Sequence, residues 1–156
     1  MTNLSDHFTL AEAAKSQLAE RKGIDNTPPA AILPRLVRVA SQILEPVRSH
    51  YRVPFSPSSW YRCPVLNAAV GSKGTSQHLA GRAVDFEVPG VANVDLARWC
   101  ASNLTFDQLI LEFYREGNPA SGWVHCSIAK EGVGRGEVLT LTKDGVRPGL
   151  PPGLNQ

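Results

Sequence analysis

The chain has 156 residues, of which 42% are hydrophobic and 19% charged, so it can bury a core unaided and is too apolar to be disordered. Its 16 Lys+Arg against 14 Asp+Glu leave a formal net charge of +2, with the arginines scattered, which excludes the basic footprint of a nucleic-acid binder. No apolar run approaches the roughly 20 residues of a membrane helix. The N-terminus lacks the basic start and apolar stretch of a signal peptide. Synthesis in the cytoplasm, no membrane insertion and a monomer are therefore the expectations.

The first fifty residues read as helical. Thr9 followed by Glu12 has capping-box spacing, and one Ala-rich helix is expected from there to Arg21-Lys22, stopping at Gly23. Thr27 is expected to cap a second helix, with Ile32, Leu36, Val39, Ile43 and Val47 recurring at helical steps. Pro34 or Pro46 should bend it. After Tyr51 the texture changes. A loop leads to a short strand ending near Tyr61, and Pro64 to Val70 reads as a short helix stopped by Gly71. A polar loop over 72–77 precedes a strand over Arg82–Val88. Asn93 is expected to cap a helix reaching Ser102. Phe106–Phe113 and Trp123–Ile128 read as an antiparallel hairpin with a long loop, Val138–Leu141 as a last edge strand, and the tail from Arg147 as ordered to frayed. Helices followed by strands predict an α+β fold with a small antiparallel sheet.

Cys63, Cys100 and Cys126 are an odd, well-separated set with no CxxC, and read as buried thiols. Of the four histidines, His7 and His50 read as ordinary residues. His78 precedes the Gly81 turn, and Asp85 follows within the next strand. His125 lies on another strand. If that turn folds the chain back, His78, Asp85 and His125 make an open three-ligand set with the fourth position left to water, as in catalytic zinc sites. The spacing alone is a weak signal and favours the ordinary reading, satisfied side chains. A general base for such a site could be Glu112, Glu116 or Asp107. Glu112 ends the apolar stretch Leu109-Ile110-Leu111, where desolvation would raise its pKa. Periodicity alone leaves open whether Glu112 faces the site or solvent.

Ser76-x-His78-x-x-Gly81-x-Ala83-x-Asp85, with Trp123-x-His125-x-Ser127 further on, resembles the M15 family of zinc D-Ala-D-Ala peptidases. The stretch Tyr61-Arg62-Cys63-Pro64-x-Leu66-Asn67-x-x-Val70-Gly71 is similar to the one preceding the metal motif in that family's phage and bacterial branch. The hedgehog signalling domain shares this core. The resemblance implies one domain over 1–156, with N-terminal helices over 9–50 packed against a metal-site core over 51–141 and a tail over 142–156. It implies Zn2+ on His78, Asp85 and His125, with Glu112 as the base and Glu116 its rival. It also implies that Arg62 meets a substrate carboxylate, with Ser76, Gln77 and Trp123 lining the substrate site or, for Ser76 above all, bracing the metal loop. The implied substrate is a bacterial peptidoglycan peptide, cut as a D-Ala-D-Ala carboxypeptidase or an L-Ala-D-Glu-type endopeptidase would cut it. Such an enzyme would reach the wall by holin-type release or from a virion. The alternative is a non-catalytic zinc-binding module on the same fold, for example a virion component. One departure stands out: many relatives place an acidic base three residues before the last histidine, and here that position is Gly122.

Overall fold

The computed structural model describes residues 2–152. Thr9 caps the first helix, α1 (Leu10–Ala14), through the expected reciprocal bonds with Glu12. The expected single helix is broken, however. Lys15 and Ser16 are extended, and Ser16 accepts from the Ala19 N–H to start a second helix, α2 (Gln17–Lys22). A serine side chain that satisfies an orphan amide favours a new start over continuation.

Thr27 does not cap the next helix. That helix opens with a 3-10 turn (Ala30–Ile32) whose leading residue is Pro29, and runs on as α3 (Leu33–Val39), a π turn (Ala40–Leu44) and α4 (Glu45–Tyr51). The irregularity falls at Pro46, which has no N–H for the Gln42 carbonyl and whose ring crowds it. Widening the preceding turn accommodates both. Pro34 lies in the first turn of α3, where proline disturbs nothing. Helix α5 (Pro64–Ala69) is as expected. The aromatic stretch before it is not a strand: only Ser59 bridges to Asp85.

Five strands form one sheet in the order β1-β3-β2-β4-β5. They are β1 (Ala83–Phe86), β2 (Gln108–Glu112), β3 (Trp123–Ser127), β4 (Glu137–Thr142) and β5 (Gly145–Pro148). The β2–β3 hairpin forms as the alternation predicts, and β1 pairs antiparallel on the other side of β3. Strand β4 runs parallel to β2, and β5 pairs with β4, so the expected last strand is internal and the start of the expected tail is the true edge. The tail residues 153–156 lie outside the described part of the chain.

Strand alternation sorts the sheet into two faces. Val84, Phe86, Leu109, Leu111, Val124 and Cys126 are fully buried on one. Helix α6 (Asn93–Asn103) lies against β2 and β3. Asn93 is its first residue rather than its cap. Its side-chain amide is spent on Glu87 and on the carbonyls of Ala120 and Gly122. Phe8, Phe55 and Phe86 pack in sequence, with ring centroids 5.3 and 5.7 Å apart, and tie the N-terminal segment to β1. All three thiols are buried and free. His7 pairs with Glu45, and the His50 ring stacks on Trp99.

Candidate metal centre

The opposite face of the sheet carries the polar residues. Asp85 on β1 stands directly across from His125 on β3, and Glu112 on β2 directly across from Trp123. Residues two apart share a face, so Asp85, His125, Trp123 and Glu112 all lie on one side. Cys126, between two site-face residues, is turned to the core.

His78 reaches this face from the turn that precedes β1. Its Nδ1 lies 2.7 Å from the Trp60 carbonyl. A carbonyl can only accept, so Nδ1 carries a proton and Nε2 is the ring nitrogen turned to the site. Nε2 is 3.1 Å from Asp85 Oδ1, and His125 Nδ1 is 2.9 Å from the same oxygen. His78, Asp85 and His125 are at most 7% exposed.

A ring nitrogen 3.1 Å from a carboxylate oxygen in a dry pocket calls for a cation between them, a proton or a metal ion. The donor set fits the metal. The three ligand atoms lie within 4.8 Å of one another. Bonds of about 2.0–2.1 Å in tetrahedral geometry place zinc's ligand atoms about 3.3 Å apart, close to the contacts seen. The Trp60 carbonyl supplies the outer hydrogen bond that fixes a ligating imidazole.

Burial by itself would raise the Asp85 carboxyl, but the charge of His78 and the hydrogen bond from His125 outweigh it and hold it well below the usual range. His125 is pushed up, because its hydrogen bond to Asp85 outweighs the cost of burial.

Glu112 Oε1 lies 3.7 Å from His125 Nδ1. Burial, then the nearby charge of Asp85, push its carboxyl above the ordinary glutamate value. The rivals are committed elsewhere. Glu116 is exposed and pairs with Arg147. Asp107 is gripped by Arg135 and accepts from the Gln77 amide at 2.9 Å. The buried Trp123 indole N–H lies against the Glu112 carboxyl, where it favours the charged form.

Arg62 NH2 is 3.8 Å from Asp85 Oδ2, while its other nitrogens rest on the neutral oxygens of Ser59 and Asn67. Ser76 Oγ accepts from the backbone N–H of His78, so it braces the loop, as Gln77 does through Asp107.

Sequence reasoning gave no role to Asn26. This buried side chain donates to the carbonyls of Ala14 and Tyr61 and accepts from the Cys63 N–H, clamping the backbone on both sides of Arg62. An asparagine in a Pro-rich linker carries no distinctive signal. The Trp60 carbonyl, a backbone atom, carries none at all.

The family model described as Peptidase M15 matches residues 6–127, a span that contains every residue of this site. The chain belongs to the peptidase M15 family. No curated protein matches it. Among the described residues, no helix is long and apolar enough to cross a membrane.

Proposed function

We propose that this chain is a zinc-dependent peptidase that hydrolyses peptide bonds in the stem peptides of bacterial peptidoglycan. The observation that carries the reading is the convergence of two imidazoles and one carboxylate on a point beside the largely buried Glu112.

His78, Asp85 and His125 would hold the ion. When bound, zinc supplies Lewis acidity, polarising a carbonyl and lowering the pKa of water to about 7. Glu112 takes the proton from the attacking water and returns it to the leaving amine, a role its apolar setting suits. Arg62 orients the peptide by pairing with a substrate carboxylate, for which a guanidinium fork is matched. The Trp123 indole N–H, beside Glu112, steadies that carboxylate next to the substrate. The setting of such an enzyme is a phage lysin, or a small wall-modifying enzyme, that meets the wall after holin-type release or from a virion.

The test is digestion of purified peptidoglycan with mass analysis of the fragments, with and without chelator, for the wild type and Glu112→Ala. The reading expects new peptide termini with zinc and none with chelator. It expects Glu112→Ala to keep its zinc and lose about 10²–10⁴-fold in rate. A zinc-loaded wild type that releases no fragment would instead establish the non-catalytic module.

A further inference from the structure

A groove of about 500 Å³ begins at Arg62 and runs away from the metal centre to the break between α1 and α2. Its walls include Lys15, Ser59, Tyr61, Arg62, Leu66 and Val70, and no carboxylate lines it. Lys15 occupies the extended break that ends α1, and its ammonium has no ion-pair partner among the described residues. Arg62 is only 15% exposed; the carboxylate within ion-pair distance of it, Asp85, is shared with two imidazoles, and Glu112, which also feels its charge, lies beside the metal centre. Two cations therefore face one groove with no dedicated counter-charge. The groove also exceeds the needs of a single terminal alanine: sites of roughly 300–1,000 Å³ take ligands of many heavy atoms.

We infer that this groove binds a peptide segment of several residues on one side of the scissile bond, and that Lys15 selects a segment carrying a free carboxylate beyond the one met by Arg62. The inference rests on the proposed peptidase reading, and it favours cleavage within a stem peptide over removal of a last residue. The break at Lys15–Ser16 is what brings the cation to the groove, since a continuous helix would leave no extended residue there. Tyr61, Leu66 and Val70 supply apolar contact for short aliphatic side chains.

The test uses the full chain loaded with zinc and pairs of synthetic stem peptides, identical except that the internal acidic residue is a free acid or a carboxamide. KM is measured by cleavage, and affinity by calorimetry on Glu112→Ala. The wild type should prefer the acid about fivefold, the worth of one partly exposed ion pair. Lys15→Gln should bring the ratio near one, Lys15→Glu should invert it, and Lys15→Arg should keep it. Lys15 is exposed, so these variants fold. Equal handling of acid and amide by the wild type, or discrimination that survives Lys15→Gln, overturns the inference while leaving the peptidase reading intact. Selective binding without cleavage by the wild type does the reverse: it upholds the groove's chemistry and removes the peptidase reading.

Discussion

Gly122 lies directly beneath the carbonyl of Glu112, so that a β-carbon on it would overlap that oxygen. Its φ of +74° is in the left-handed region as well. This is the position where the family resemblance leads one to expect an acid. Here any side chain would push away the strand end that presents Glu112. Gly122→Ala should cost about 3 kcal/mol, combining the strained conformation with the backbone overlap. It should also lower the rate more than zinc affinity. Denaturant titration, with zinc uptake and cleavage measured on the same preparation, checks both.

Zinc should stabilise the chain against unfolding. At a free concentration a hundred times Kd the gain is about 2.7 kcal/mol. For a domain of this size that amounts to a rise in Tm of about 5–11 °C. Asp85→Asn should abolish most of the increment, because the carboxylate is shared by both imidazoles. Thermal melts with and without chelator read it directly.

The His78–Asp85 half of the centre was legible because its parts are local; His125, 40 residues beyond Asp85, was joined to them by the family resemblance. The turn before β1 carries His78 seven residues ahead of Asp85, whereas the side that Glu112 occupies was left open by periodicity and follows from the pairing of β2 with β3. What stayed hidden depends on distant partners. Trp60 and Tyr61 look like strand residues but are buried by tertiary packing, with only Ser59 bridging to the sheet. The parallel pairing of β4 with β2 depends on a crossover that no local pattern encodes. The break before Ser16 was readable in principle, since serine followed by Glu20 in the first turn marks a helix start. The Ala-rich sequence around it masked the signal.

Asn26 should matter more than a linker residue ordinarily does. Asn26→Ala leaves the buried Cys63 N–H and the Tyr61 carbonyl without their partner, at about 1–3 kcal/mol. Because the clamp flanks Arg62, the variant should also raise KM more than it lowers kcat. Comparison with Arg62→Gln, which removes the same contact without disturbing the backbone, checks the assignment.

Asp107 provides a test by pH. Its hydrogen bonds with Arg135 hold its carboxyl down to about 2, against 3.8 unfolded. A depressed carboxyl stabilises the fold above its unfolded pKa, and the benefit fades as pH falls through the folded one. The stability gap between wild type and Asp107→Asn should thus be constant above about pH 5 and close as the pH approaches 2. Arg135 is 58% exposed, so the gap at neutrality should be only about 1 kcal/mol. Gly134 permits the grip, since a β-carbon there would come within 2.6 Å of the Phe106 carbonyl. Urea denaturation of the chelated proteins at several pH values reads the gap without interference from metal.

His78 comes from a turn, whereas Asp85 and His125 belong to neighbouring strands. An ion shared among them would therefore work as a stitch as well as a reagent. Starved of its ion, the protein would lose one tether on the segment over 72–82, leaving those through Gln77–Asp107 and His78–Trp60, while its sheet persisted. Proteases would find their first cut there, and a molecule lacking its ion would be cleared sooner than a loaded one.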